Sequence, residues 1–383
     1  MICCKVCGSK NYEDIYTPIN SKIGLKIKLC KDCGMVFSSI DGDPDQFNHD
    51  GNFVGLSCDA DYSAIRVGKA QMVQTALNLF EKERLKNSRI KRILDMSSAR
   101  GHFIRAAAKY FGSIKLDCIE PDAYMTNSYI KDKRFYVTNK KYKNYEPLES
   151  YDLIYSCHTL EHFRNPRENL EWINANLNID GYLYLEVPNL ECIQNQFNVD
   201  EYFYDMHLSY FDQVTLSNFL TMLSFEIISQ KVSQGSIAFL CRKSGNKSRK
   251  FENQYVRNKK LIETYKINIT RNREELVSRK NDIQRYISKE NSVIFGCGKM
   301  LDFLIRYCQI DFSDCLFVDN FLSEATESIF GKKLLKLKNI PDINSSRQFL
   351  ILAQSSVMTI KGEIEARFPD SKIKSIGDFI SHA

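Results

Sequence analysis

Three sets of residues have the types and spacing that chemistry needs. Cys4-x-x-Cys7-Gly and Cys30-x-x-Cys33-Gly form two matching knuckles, four thiolates that can surround one ion tetrahedrally, with a glycine after each pair to permit the tight turn. Asp95-x-Ser97-x-Ala99-x-Gly101 reads as a strand-end acid, a turn of small residues and a helix start, with Glu120 closing the next apolar run 25 residues after Asp95. Small residues let backbone approach a ligand, and a carboxylate at the end of the following strand accepts from ribose hydroxyls, so this pattern suits an adenosine-containing cofactor. The third set is EYFYDMHLSYF, residues 201 to 211, where His207 can serve as a base near neutrality and Tyr204 can donate to a developing oxyanion.

The elements that must position these residues follow from hydrophobic pattern. RILDM, KLDCIEP, YDLIYSC and GYLYLEVP read as short apolar strands, and HFIRAAAKYF and RENLEWINANL as helices. Such alternation predicts an α/β fold, a mostly parallel sheet covered by helices. It places Asp95, Ser97, Ala99, Gly101, Glu120, Pro121, Asp122, Ser156 and His158 at strand ends as candidate cofactor ligands, with Glu161 and His162 just beyond on the same rim. Ser97 and Ala99 permit close approach provided neither takes a positive φ.

Four segments are expected: a zinc-binding module at 1–58, a sheet domain at 59–242, a basic helical linker at 243–290, and a second Rossmann-like α/β domain at 291–383. In the last, Gly296-x-Gly298 follows a strand and Asp319 closes the next, as in a dinucleotide site. Leu301 occupies the third glycine position, against close helix packing, and bound NAD is not expected. The closed four-thiolate set leaves no open position, so its zinc should be structural.

Hydrophobic residues make up 43% of the 383, charged residues 26%, and no apolar run approaches a membrane span. MICCKVCG lacks an apolar signal stretch, so a cytoplasmic location is expected, and thirteen cysteines there imply thiols and metal ligation rather than a disulfide framework. The net charge of +6 suits phosphate-bearing small molecules and is too weak to argue for nucleic acid. Residues 242–290 carry fifteen Lys/Arg but also six interleaved Asp/Glu, the pattern of a solvated helix.

On these residues the chain resembles a known family. The turn at 95–101 with Glu120-Pro121-Asp122 resembles the cofactor site of class I S-adenosylmethionine (SAM) methyltransferases, with one glycine kept. YDLIYSCHTLEHFRNP and GYLYLEVPN resemble their fourth and fifth strands. The order of knuckles, SAM domain and C-terminal nucleotide fold resembles the three-domain, zinc-containing sugar C-methyltransferases. The resemblance implies SAM and structural Zn2+ as cofactors, a nucleotide-linked sugar as small-molecule acceptor, catalytic roles for His207, Tyr204, His162 and Tyr62, and a monomer or homodimer. One departure bears on mechanism. The family carries Tyr-His-Glu-His before Leu-Ser-Tyr-Phe, whereas this chain has Tyr204-Asp205-Met206-His207, so the carboxylate of their proton chemistry falls on Met206. C- or O-methylation is therefore left open. An RNA methyltransferase using the knuckles and basic segment, and a non-catalytic scaffold, are the alternatives.

Overall fold

A computed structural model of the chain describes residues 2–19, 21, 23–39, 68–87, 89–127, 129–194, 199, 201–233, 235–245, 251–289, 291–320, 322–324, 327–341, 346–353 and 357–380. Tyr62 lies outside them. Two compact units divide the chain. One holds the described residues of Met1–Gly51, Gly68–Cys192 and Phe203–Ile262, the other those of Ile193–Tyr202 and Glu263–Ala383.

In the first unit, β1 (Tyr12–Tyr16), β2 (Lys26–Cys30) and β3 (Val36–Ser39) form an antiparallel meander. The main sheet is built from β4 (Arg92–Met96), β5 (Lys115–Ile119), β6 (Phe135–Thr138), β7 (Tyr151–Cys157) and β8 (Leu177–Pro188). After the two-residue β9 (Ser209–Tyr210), β10 (Phe225–Val232) and β11 (Ser236–Lys243) complete it. The order across this sheet is β10-β11-β8-β7-β4-β5-β6, with β4 to β8 parallel and the β10–β11 hairpin antiparallel at one edge. The chain winds outward in both directions from the β4–β7 pair. A ligand crevice therefore opens at the carboxyl ends of these two strands.

Sequence explains the elements locally. β4 and β5 are buried almost throughout, as strands covered on both faces must be. α1 (Gly68–Lys82) and α2 (His102–Phe111) pack there through Phe80 and Phe103, and Phe103 stacks on Tyr155 at 3.6 Å. After the short α3 (Ala123–Thr126), α4 (Pro166–Asn176) starts with Pro166 in its first turn and Asn165 accepting from the Glu168 amide. α5 (Gln213–Met222) is capped by Asp212, whose carboxylate accepts from the amides of Val214 and Thr215, both at 2.9 Å. The cysteine knuckles share a core with this sheet: Cys4, Val6, Cys30 and Phe37 pack in one cluster with Leu94, Leu185 and Phe219. β9 extends the meander as its fourth strand by pairing antiparallel with β3.

The polar stretch after β11 forms α6 (Tyr255–Ser278) and α7 (Lys280–Ile287). In the second unit, β12 (Ser292–Phe295), α8 (Lys299–Arg306), β13 (Leu316–Val318), β14 (Ser328–Ile329), β15 (Lys332–Leu335), β16 (Gln348–Ile351), α9 (Val357–Arg367) and β17 (Lys372–Ser375) give a sheet of order β14-β15-β13-β12-β16-β17. All neighbours but the β14–β15 hairpin are parallel. This is the expected second Rossmann-like fold.

Candidate functional site

The four knuckle cysteines converge. Cys4 Sγ lies 3.4 Å from Cys33 Sγ and Cys7 Sγ 3.6 Å from Cys30 Sγ, and all four sulfurs lie within 4.8 Å of one another. A tetrahedral ion with ~2.3 Å bonds to sulfur needs about 3.8 Å between ligands, so the set fits zinc. Each knuckle turns as its sequence requires. Gly8 and Gly34 have φ of 77° and 80°, and their amides donate to the Cys4 and Cys30 carbonyls at 3.0 and 2.9 Å. Hydrogen bonding with Cys30 holds the Cys7 thiol well below its ordinary range and pushes Cys33 well above it. Four thiols this crowded share protons unless a cation replaces them.

The turn after β4 corrects one expectation. Ser97, Ala99 and Gly101 all have positive φ, at 58°, 45° and 69°. The backbone thus takes the left-handed path of a glycine turn at three positions while the sequence supplies one glycine. For Ser97 and Ala99 this costs ~1 kcal/mol each. The surroundings hold the conformation. Glu120 Oε2 accepts from the Ala99 amide at 2.8 Å and Oε1 from the Asp122 amide at 3.1 Å. Ser98 Oγ bonds Tyr129 Oη at 2.6 Å, and the Tyr129 ring lies where a Cβ on Gly101 would come within 3.0 Å. Asp95 is buried at the end of β4, while Pro121 is exposed and Asp122 half-buried beyond Glu120.

These residues fit an adenosine-containing cofactor. A carboxylate offers about four acceptor sites, and the turn engages one on each Glu120 oxygen. Across the crevice, Ser156 pairs in register with Met96, and its fully buried Oγ has no hydrogen-bond partner among the described residues. His158 follows with φ 48°, and its Nε2 is likewise buried and unpartnered. The structure brings Asp95, Ser97, Ala99, Gly101, Glu120, Ser156 and His158 to one end of the sheet.

The acceptor-side residues form a second cluster on the same rim. His207 Nε2 lies 2.6 Å from Tyr204 Oη, and the His162 and His207 rings meet edge to face at 4.9 Å. His162 Nδ1 bonds the Met206 carbonyl at 2.8 Å. Asp205 turns away and accepts from Ser21 Oγ at 2.5 Å, so it does not replace the carboxylate missing at Met206. Glu161, only 1% exposed, stands among three imidazoles: His158 Nδ1 at 3.4 Å, His162 Nε2 at 3.8 Å and His207 Nε2 at 3.9 Å. Burial alone would push its carboxyl up, but the His158 imidazole against it and the field of His162, His158 and His207 hold it down, at about 2. Sequence reasoning named Glu161 without a role and missed Glu186, buried on β8 and accepting from Tyr184 Oη at 2.5 Å. The Leu-Glu-His triplet was the available signal for Glu161; nothing local marked Glu186.

In the second unit Asp319 braces its own loop, accepting from the amides of Cys297 at 3.1 Å and Leu322 at 2.8 Å. Leu301 is fully buried on α8.

Residues 69–230 match a protein-family profile described as a methyltransferase domain, Methyltransf_23. No curated protein sequence matches the chain. Among solved structures, a SAM-dependent methyltransferase from Clostridium acetobutylicum ATCC 824 is similar over 44% of this chain and 89% of its own, at 11% identity and a TM-score of 0.37. The plantazolicin methyltransferase BpumL, solved with a triazolic desmethylPZN analog and SAH, is 14% identical over 48% of this chain and 88% of its own, with a TM-score of 0.41. A SAM-dependent methyltransferase from Mesorhizobium loti covers 42% of this chain and 94% of its own at 13% identity, TM-score 0.35. The family match, on a doubly wound sheet with a cofactor-type crevice, makes this central region a class I SAM-dependent methyltransferase domain.

Proposed function

We propose that the protein transfers a methyl group from SAM to a small polar acceptor, a nucleotide-linked sugar or a related precursor. The observation that carries this reading is the pairing of Tyr204 and His207 on the rim that also holds the cofactor turn. Bound SAM would supply an electrophilic methyl on a sulfonium. The chain's own residues do the rest. Asp95 and the 97–101 turn receive the amino acid end, and Glu120 the ribose. Tyr204 orients the acceptor and passes its proton to His207 Nε2 as the acceptor atom attacks. With Met206 where the resembled family has a carboxylate, a hydroxyl acceptor demands less of the base than a carbon acid.

The remaining assignments belong to the same reading. Cys4, Cys7, Cys30 and Cys33 hold a structural zinc ion that folds the segment 1–58 onto the methyltransferase segment 59–242. The basic helices 243–290 link the methyltransferase segment to the Rossmann-like fold at 291–383. A cytoplasmic monomer or homodimer acting on a soluble precursor fits a chain in which no described helix is long and apolar enough to cross a membrane.

The test is a panel of nucleotide sugars incubated with protein and SAM, read by mass spectrometry for the gain of one CH2. Methylation of a panel member supports the acceptor class. SAM binding with methylation only of peptide or RNA controls would reject it.

A further inference from the structure

A buried carboxylate needs a cation or donated hydrogen bonds to stay ionised. Neither oxygen of Glu161 has a hydrogen-bond partner among the described residues, although the side chain is 1% exposed. What faces it is three imidazoles, His158 and His162 from its own loop and His207 from the loop before β9, none closer than 3.4 Å. Among the described residues, the other titratable groups around these rings are Tyr204, Asp205 and Tyr210, with Cys157 and Glu186 beside His158, their ligand atoms all within 4.8 Å of one another. Tyr204 bonds His207, Asp205 bonds Ser21, and Tyr210 directs its hydroxyl at the Tyr204 carbonyl at 3.4 Å.

His162 decides the protonation pattern. Its Nδ1 meets the Met206 carbonyl at 2.8 Å, and a carbonyl only accepts, so Nδ1 carries a proton. Its Nε2 faces the Glu161 carboxylate at 3.8 Å. A neutral ring would turn a lone pair toward an anion there. A ring that carries a proton there turns an N–H toward the carboxylate, and the same carboxylate oxygen stands 3.9 Å from His207 Nε2.

We propose that Glu161 is the positioning residue of the acceptor site, a carboxylate supplied by the loop after β7 in place of the one absent at Met206, orienting the His162 ring and stabilising the charge that His207 gains when it takes the acceptor's proton. This rests on the methyl-transfer reading. The acceptor's X–H proton moves through the Tyr204 hydroxyl to His207 Nε2. The freed pair on X forms the new bond to the methyl carbon, and the carbon–sulfur pair leaves with sulfur. Removing the carboxylate takes that stabilisation from His207 without removing a group that touches the acceptor.

The test compares wild type with Glu161→Gln and Glu161→Asp in the full chain. Imidazole titrations are followed by NMR without cofactor, and kcat, KM and SAM affinity are measured across pH. Glu161→Gln is expected to move the His207 titration to lower pH by about one unit, and to lower kcat roughly tenfold or more with the acidic limb displaced the same way. SAM affinity should fall less than kcat, since Glu161 reaches the cofactor site only through His158. Glu161→Asp keeps the charge and should restore part of both effects; it also serves if the glutamine variant folds poorly. Unmoved imidazole titrations in a folded Glu161→Gln would overturn the proposal. So would a stoichiometric transition-metal ion, beyond that of the cysteine quartet, that the substitution releases. The NMR shift needs no acceptor, so its failure is separable from failure to methylate any nucleotide sugar.

Discussion

The chain builds the same strand-turn-helix device twice, once after β4 and once after β12, and the two differ in an instructive way. The first has a single glycine, Gly101, yet three left-handed residues, Ser97, Ala99 and Gly101. The second has two glycines, but only Gly296, at 93°, is left-handed, and Gly298 sits at −89°. In both, the acid of the following strand, Glu120 or Asp319, accepts a hydrogen bond from the turn's own backbone. What lies against the glycine differs. A Cβ on Gly296 would come within 2.8 Å of the Ala353 amide, just past the end of neighbouring β16, so that glycine lets two backbones approach closely. Gly101 instead faces the Tyr129 ring, and the crevice between β4 and β7 keeps the unpartnered Ser156 hydroxyl. Counting glycines and following the backbone path therefore rank the two turns in opposite order.

Substitutions can break this contrast. Gly101→Ala and Gly296→Ala should have the largest effects, each costing about 2 kcal/mol from a Cβ on left-handed backbone pressed against a neighbour, measured by denaturant unfolding. Only Gly101→Ala should also weaken SAM binding, by roughly tenfold or more. Equal losses of affinity in calorimetry would erase the distinction between the turns. Next come the acids. Glu120→Ala should reduce SAM affinity about tenfold, whereas Asp319→Ala should cost ~1–2 kcal/mol of stability and leave SAM affinity unchanged. The smallest effects test the strain itself. Ser97→Gly or Ala99→Gly should raise stability by about 0.5 kcal/mol, because relief of the left-handed penalty outweighs glycine's added chain entropy. Gly298→Ala, with open space around its Cβ, should shift stability by only a few tenths of a kcal/mol. A loss of stability in Ser97→Gly would mean that the side chain, rather than the surrounding bonds, holds the turn.

Sequence carried the parts of the fold that are written locally. Hydrophobic alternation located β4, β5, β7 and β8, and the knuckle spacing located a cysteine quartet that does converge. Strand-end position singled out Glu120 and Asp319 alike, and both carboxylates accept from the backbone of their own turns. The φ of Ser97 and Ala99 was not legible, since neither residue type announces a left-handed backbone; the fold imposes it through Glu120 and Tyr129. The gathering of His158, Glu161, His162 and His207 was half legible. The first three share a loop, but His207 arrives through the β3–β9 pairing, a contact across some 170 residues that no periodicity encodes.

That pairing has a further consequence. The Leu208 carbonyl accepts from the Ser38 amide at 3.1 Å, and the His207 carbonyl from the Ser38 hydroxyl at 3.4 Å. The backbone of His207 is thus stitched to a strand that follows directly from the second cysteine knuckle. An ion held by the four thiolates, with no open coordination position and no part in bond making, would still act on His207 as a dowel acts on a hinge plate. Stripping it should loosen the histidine's seat before the cofactor crevice, so metal content and acceptor turnover would decline together while SAM remained bound.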